Sequence, residues 1–343
     1  MQRIPVVDEN QRPLMPTTPS KARKLIKAEL ATPYWNKGVF CIRLNYTPER
    51  VYRQSIVVGV DPGSKREAFT VKSEAHTCLN VQTTTPDWVK GKVEERANLR
   101  RNRRYRKAPY RQNRENRARG GLPPSTKARW QLKLRILNWL ATMYPITVVS
   151  VEDVKAKTFK NGRKWNEHFS PLEVGKKWFY REIEQRWQLH VVSGIETSEE
   201  RTELGLKKIG NKLSDSFNAH CVDSWVLANL WTGGHTAPDN TAMVYLYPLK
   251  LHRRNLHRQN YSKGGVRKPY GGTNSEGFKR GSWVKHTASG RGKSYGLCYV
   301  GGQDGKGHIS LHSLETGQRL TQSAKPEDCK FLCYASWRTR IGA

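Results

Sequence analysis

An apolar run that ends in a carboxylate and a sharp turn constrains this chain more than any other stretch. Residues 56–60 read Ile-Val-Val-Gly-Val, the composition of a buried strand, and Asp61-Pro62-Gly63 follows at once. Such a strand delivers Asp61 to one fixed point, and the Pro-Gly turn leaves room for a ligand to approach. A single aspartate after a strand is most often only a turn residue. The interpretation of Asp61 therefore depends on whether other carboxylates can meet it.

Cationic side chains greatly outnumber acidic ones. The 343 residues include 61 Lys and Arg against 29 Asp and Glu, a formal net charge of +32. This excess predicts a polyanionic partner, of which nucleic acid is the commonest. We expect no membrane partner, because the chain has no long apolar run, no signal-peptide core and no basic helix with a broad apolar face. The six cysteines form no CxxC pair, which disfavours a zinc ribbon and fits free thiols in a reducing cytoplasm.

The most biased window runs from residue 100 to residue 119. Its cations fall at helical spacing, and Pro109 predicts an interruption of that helix. The window has almost no apolar stripe and its like charges repel, so it needs an anion to hold it, and arginine binds phosphate well. A solvated disordered segment is the alternative, although the window lies between core elements. The expected nucleic-acid contacts, which include a second basic cluster near residue 255, are Arg96, Arg100, Arg101, Arg103, Arg104, Lys107, Arg111, Arg114, Arg253, Arg254, His257 and Arg258.

The remaining patterns predict an α/β core between a small N-terminal piece and a β-rich C-terminal part. Residues 1–50 are too few to hold a core of their own, and Pro13-Leu14-Met15-Pro16 is interpreted as a rigid extended connector. The predicted core elements are strands 56–60, 67–71 and 79–85 in an antiparallel meander, helix 130–143, strand 146–153, helix 171–187, strand 189–192 and helix 214–231. The predicted C-terminal strands are 282–286, 295–300, 308–312 and 331–335, which suggest a small β-barrel of SH3-like size.

Four side chains from these elements are candidates for one catalytic site. Two strands end in Asp61 and Glu152, and one helix presents His220 and Asp223 three residues apart, on the same face. The element order is that of a ribonuclease-H-like fold, in which acids converge beside a mixed sheet. Converged carboxylates repel, so they need divalent cations. Two Mg²⁺ about 4 Å apart, held by the three acids, would activate a water for phosphodiester hydrolysis, and His220 would orient or deprotonate that water.

Each of these assignments has an alternative. Asp153 could be the ligand instead of Glu152, and Asp215 could replace Asp223, although Ser214-Asp215 looks more like a helix N-cap. A single histidine such as His220 is more often a hydrogen-bonded core residue. The joint pattern, in a chain this basic, favours a nuclease.

In this order, the motifs resemble the transposon-encoded IscB/IsrB proteins, RuvC-type RNA-guided nucleases related to the ancestors of type II CRISPR effectors. The resemblance covers residue 1 to about residue 231 and rests on Pro13–Pro16, Gly59–Gly63, the arginine-rich helix, Val151-Glu152 and His220-x-x-Asp223. About seventy residues separate Glu152 from Asp223, and the fold needs most of them. The resemblance is therefore closer to the IsrB form, which lacks the inserted HNH nuclease.

The resemblance implies a domain organisation and an activity. The implied domains are an N-terminal PLMP domain at 1–52, RuvC segment I at 53–90, an arginine-rich bridge helix at 91–120, RuvC segments II and III at 121–240, and a basic loop with the β-barrel at 241–343. It implies RuvC roles for Asp61, Glu152, His220 and Asp223, with Mg²⁺ as cofactor and Mn²⁺ as a substitute.

The implied partners are a guide RNA (ωRNA) and duplex DNA beside a short target-adjacent motif, which the barrel would contact. The implied product is a nick in the displaced strand, made by a monomeric ribonucleoprotein in a prokaryotic cytoplasm. Two other functions fit the residues: RNA-guided DNA binding without useful cleavage, and a guide-free RNase-H-like resolvase.

Overall fold

The computed structural model describes two compact units, the first ending at Val244 and the second comprising Tyr245–Ile341. The described residues are 3–107, 122, 124–155, 159–160, 163–164, 170–250, 274–290, 292–304 and 306–341. None of the helices in those ranges has the length and apolar content needed to cross a lipid bilayer.

The N-terminal segment of the first unit forms a small sheet with its own core, contrary to the prediction. Its elements are β1 (Ile4–Val7), β2 (Pro13–Thr17), α1 (Pro19–Lys27), β3 (Ala31–Asn36) and β4 (Val39–Leu44), and the strand order is β2-β1-β4-β3. Buried Val6, Leu14, Ala22 and Ile42 pack together in this core. The Pro13–Pro16 segment is therefore part of a strand and not a connector, and its Leu14 is buried in the core that also holds Ala22 of α1.

A mixed sheet dominates the rest of the first unit. The strands are β5 (Ile56–Asp61), β6 (Arg66–Lys72), β7 (Thr77–Thr84), β8 (Ile146–Asp153) and β11 (Gln188–Ser193). They lie side by side in the order β11-β8-β5-β6-β7. The meander β5-β6-β7 is antiparallel, as predicted, whereas β8 runs parallel to both β5 and β11. The parallel strands bring the carboxyl ends of β5 and β8 to the same edge.

Helices cover both faces of this sheet. They are α2 (Trp88–Tyr105), α3 (Pro124–Ala141), α4 (Pro171–Glu184), α5 (Gly194–Glu203) and α6 (Phe217–Thr232), and a short hairpin of β9 (Phe159–Lys160) and β10 (Arg163–Lys164) precedes α4. Ala68 of β6 packs against α6, whereas the adjacent Glu67 contacts Lys133 of α3, so α6 and α3 lie on opposite faces. Helix α5 was not predicted. The proposed N-cap at Ser214-Asp215 is wrong, because Ser216 occupies the N-cap position of α6, without a capping hydrogen bond from its side chain.

The second unit contains an antiparallel sheet. Strand β12 (Met243–Pro248) leads into it, and β13 (Asn274–Ser275), β14 (Phe278–Lys279), β15 (Ser282–His286), β16 (Gly296–Gln303), β17 (Ile309–Ser313), β18 (Arg319–Ala324), β19 (Cys329–Tyr334) and β20 (Trp337–Ile341) follow. Five of these strands pair in the order β18-β17-β16-β15-β19, around a core that includes Val284, Val300 and Leu311. The four predicted strands are confirmed, and β18 was missed. Closure of the sheet into a barrel stays a prediction.

Candidate metal centre and nucleic-acid interface

Asp61 and Glu152 meet at the edge where two parallel strands end. Val60 of β5 lies opposite Val151 of β8, so the next residues of the two strands, Asp61 and Glu152, follow side by side. Their side chains lie close enough to each other to share a hydrogen bond if one of them is protonated. The structure therefore brings these two predicted acids together, and their role as metal ligands stays a prediction.

The environment of this pair raises the pKa of both carboxyl groups. Burial raises the pKa of Asp61 well above its usual value, and the neighbouring charges of Glu152 and Asp223 raise it further. The pKa of Glu152 is also raised by burial, but its hydrogen bond to Asp61 acts in the opposite direction. The pair therefore binds a proton more readily than an isolated carboxyl group does.

A short contact between strand and helix brings α6 to this edge. Gly59 and Asp61 are two residues apart and point to the same face of β5. A Cβ at Gly59 would lie only 1.8 Å from the backbone oxygen of Ser224, so the two backbones touch. Asp223 is the residue before Ser224, and this approach carries it close enough to Asp61 to affect the pKa of that carboxyl.

Asp223 is buried and holds two cations. Its Oδ1 accepts a hydrogen bond from Nη1 of Arg201 at 2.6 Å, and its Oδ2 is paired with Nζ of Lys208. Arg201 comes from α5 and Lys208 from the loop that follows α5. Sequence reasoning missed both cations. The Ser193-x-x-Glu196 capping box that begins α5 was a signal that could have placed Arg201 on a helix here.

His220 faces the same carboxylates with a defined tautomer. Its Nε2 lies 3.1 Å from the backbone oxygen of Lys212, and a carbonyl only accepts, so Nε2 carries the hydrogen. Nδ1 is then the free acceptor, 4.0 Å from Oδ2 of Asp61. Burial lowers the pKa of His220, which keeps the imidazole neutral. The ring can therefore accept a proton at Nδ1.

A cavity of about 340 Å³ opens beside Asp61 and His220. The turn at Gly63 forms one wall, where a Cβ would lie 1.7 Å from the backbone oxygen of Arg66. Its cationic lining residues are Lys65, Arg66, Lys208 and Lys212. The carboxylate of Asp61 and the ring of His220 thus face a cavity that is also lined by four cationic side chains, an arrangement suited to a phosphodiester.

The two alternative ligands lie in other ion pairs. Asp153 follows Glu152 directly but points elsewhere, and its Oδ1 is 2.6 Å from Nζ of Lys176. Asp215 lies 2.5 Å from Nη1 of Arg66. Neither Asp153 nor Asp215 is among the neighbours that shift the pKa of Asp61.

Carboxylates are the type of ligand that a hard divalent cation prefers, and Asp61 and Glu152 also lie next to each other. Mg²⁺ prefers carboxylate oxygens, and a cation between Asp61 and Glu152 could replace a proton bound to the pair. Within the described ranges, however, no three His, Cys, Asp or Glu side chains are arranged to hold a metal ion. The oxygens of Asp223 contact Arg201 and Lys208. Asp61 and Glu152 are therefore the two carboxylates that the structure places together for an ion.

The arginine-rich helix presents cations to solvent. Arg100, Arg101 and Arg104 are exposed on α2, and Arg103 is half-buried. The helix ends at Tyr105, so Lys107 lies beyond it with a left-handed φ of 49° and does not extend the predicted helical line. Pro109, two residues further along, lacks the amide that a longer helix would need. The other predicted contacts lie outside the described residues: the side chain of Arg96, and Arg111, Arg114, Arg253, Arg254, His257 and Arg258.

The second unit has a cationic cavity of its own, of about 360 Å³. Lys250, Arg280 and Arg319 line it, and Tyr299 and His312 stack at 5.1 Å between ring centroids. Three cations and a stacked ring pair are side chains that contact phosphates and bases in other proteins.

Two comparisons with known proteins bear on this chain. Residues 4–166, less than half of the chain, match the model of a family described as RRXRR protein. The pattern spelled by that name is present at residues 100–104, which read Arg-Arg-Asn-Arg-Arg. Among solved structures, a chain of T. thermophilus RuvC in complex with a Holliday junction substrate is 14% identical, with 52% of this chain and 97% of that chain covered and a TM-score of 0.29. That score is too low to support a common fold. No curated protein sequence matches.

Proposed function

We propose that the first unit is a RuvC-type nuclease, which hydrolyses phosphodiester bonds of nucleic acid with divalent cations. The observation that carries this proposal is the pairing of buried Asp61 with half-buried Glu152 at the ends of adjacent parallel strands. Two carboxylates placed side by side gain little for stability, and perturbed carboxyls beside a cavity are typical of catalytic sites. The match of residues 4–166 to the RRXRR family is consistent with the arginine-rich surface that such an enzyme would use.

In this proposal each side chain has a separate task. Asp61 and Glu152 hold the metal, with Asp223 as a further ligand, and when bound the metal polarises the phosphate and activates water. His220 accepts the proton of the attacking water at Nδ1, since Nε2 is fixed by the carbonyl of Lys212. Lys65 and Lys212, on the cavity rim, contact the phosphates beside the scissile bond.

We infer further that the enzyme is directed by a guide RNA and nicks the displaced strand of duplex DNA. The net charge of +32 and the exposed arginines of α2 support a large nucleic-acid partner, and a compact resolvase has no need of such an excess. The cavity at Lys250, Arg280 and Arg319 is a second surface for that partner, where we expect the target-adjacent motif or the guide to bind.

The test compares two neighbouring acids in a cleavage assay. The protein is purified with its bound RNA, that RNA is sequenced, and nicking of a matching supercoiled plasmid is measured with Mg²⁺. We expect Asp61→Asn to lower the nicking rate by about a thousandfold or more, since a loss of about 4 kcal/mol in transition-state stabilisation has that effect. Asp153→Asn, whose ion pair with Lys176 lies apart from the acid pair, is the matched control and keeps the rate.

Three outcomes would change the proposal. Equal nicking by the Asp61→Asn variant would refute the assigned site. Target binding without strand scission at any Mg²⁺ concentration would favour an RNA-guided binding protein. Cleavage of four-way junctions by RNA-free protein would favour a resolvase.

A further inference from the structure

Asp223 is occupied by cations of the chain itself, which bears on how the site could bind a metal. Its carboxylate is only 2% exposed, and its two oxygens contact Arg201 and Lys208 respectively. An oxygen that is paired with an ammonium group competes poorly as a ligand for Mg²⁺. The two cations therefore stand where a divalent cation would otherwise supply the balancing charge.

The two cations differ in how firmly they are held. Arg201 also donates from Nη2 to Oγ of Ser198, one turn away on α5, and its side chain is 17% exposed. Lys208 lies in the loop between α5 and α6, and its side chain is 42% exposed. Lysine is also a compact charge on a flexible stem, whereas the planar arginine fork is preorganised. Lys208 is therefore the cation that can leave Asp223.

When substrate is bound, Lys208 would lie near a second anion, the substrate phosphate. It lines the same cavity as Asp61, Lys65 and His220, where the proposed substrate phosphate would lie. A phosphate in that cavity would attract the ammonium group and release Oδ2 of Asp223. The released oxygen would then be free to bind the metal.

We propose that Lys208 is a latch that pairs with Asp223 in the free protein and with a nucleic-acid phosphate in the complex. This inference rests on the proposed function, because it assumes that the carboxylates bind a metal. Its consequence is reciprocal: nucleic acid tightens metal binding, and metal tightens nucleic-acid binding, by the same factor. The free enzyme would thereby hold its metal weakly and assemble its site on substrate.

Manganese binding to the full-length protein tests the latch without measuring cleavage. Free Mn²⁺ is followed by electron paramagnetic resonance for the wild type, Lys208→Met and the matched control Lys207→Met, which removes an exposed charge one residue away. The Asp61→Asn, Glu152→Gln double variant measures Mn²⁺ bound outside the site and is subtracted. Each titration is repeated with a single-stranded phosphorothioate DNA oligonucleotide.

The latch predicts a distinct pattern across these titrations. Lys208→Met binds Mn²⁺ more tightly than the wild type without DNA, by about 5-fold to 150-fold, the range of a typical coupling between two ligands. DNA tightens Mn²⁺ binding to the wild type and to Lys207→Met by a similar factor, and has little effect on Lys208→Met.

The failures of the two proposals are distinguishable. Equal Mn²⁺ affinity of the wild type and Lys208→Met, with site-specific binding in both, overturns the latch and leaves the metal site intact. A Mn²⁺ stoichiometry that the double variant leaves unchanged shows that the acids bind no metal, which overturns the proposed function and the latch with it.

Discussion

The two faces of the central sheet each bury a carboxylate, and they treat it in opposite ways. On the α3 face, Glu67 lies 2.6 Å from Nζ of Lys133, and both side chains are almost completely buried. On the α6 face, the neighbour of buried Asp61 is another carboxylate, Glu152. Burial raises the pKa of Glu67 and of Asp61, but a cation opposes the shift at Glu67 whereas acids increase it at Asp61.

This difference separates a structural charge from a functional one. The Glu67–Lys133 pair is complete within the fold, so it needs nothing from outside. Lys208 lowers the pKa of Asp61, yet the pKa stays raised overall, so the acid pair favours a bound proton, which a divalent cation could replace. The residue types alone do not reveal this distinction, because both faces present an acidic side chain next to an apolar strand.

Breaking the ion pair between Glu67 and Lys133 gives the largest expected effect on stability. Lys133→Met leaves Glu67 buried without its cation, and we expect the free energy of unfolding to fall by about 3–5 kcal/mol. Urea denaturation followed by circular dichroism measures this loss. The double variant Glu67→Gln, Lys133→Met is the control and should recover most of it. A loss as large in the double variant would show that packing of Lys133, not charge, is what matters.

The second-largest expected effect on stability comes from pushing α6 away from the sheet. Gly59→Ala places a methyl group against the backbone of Ser224, and overpacking of this kind costs about 1–3 kcal/mol or more. The matched control is Gly91→Ala in α2, where an added Cβ meets nothing within 4 Å. That substitution should stabilise the protein by about 0.5–1 kcal/mol through helix propensity. Equal effects of the two variants on the melting temperature would contradict the backbone contact.

The smallest expected effect is a dependence of stability on pH that arises from Asp61. The raised pKa of Asp61 means that the folded state keeps a proton that the unfolded state has lost. Stability from this group is therefore present below the unfolded pKa and is lost as pH rises toward the folded pKa. Asp61→Asn removes this dependence, so its stability relative to the wild type, without metal, should grow with pH by about 1 kcal/mol.

His220 gives stability the opposite dependence on pH, and it is present in both the variant and the wild type, so comparing the two removes its contribution. The pKa of that imidazole is lowered, so His220 favours the folded state as pH rises. Melting curves in EDTA at several pH values give the difference. A difference that is constant across pH would show that Asp61 carries no trapped proton.

Much of this arrangement could be predicted from the sequence, and the limits have physical causes. The strand endings at Asp61 and Glu152 and the helical spacing of His220 and Asp223 were readable because each is a local pattern. The partners Arg201 and Lys208 were not, since an ion pair between distant residues depends on how loop and helix pack. The small N-terminal core was missed because β1 pairs with β4 across α1, and no short window shows that pairing.

The loop between α5 and α6 reaches the proposed site at two points. Lys208 pairs with Asp223, and four residues later the carbonyl of Lys212 fixes the ring of His220. One displacement of this loop would thus alter the ligand set and the proton acceptor together. Substitutions that change loop length should affect both steps of the chemistry at once, so metal affinity and the acid limb of a pH–rate profile would shift as a linked pair.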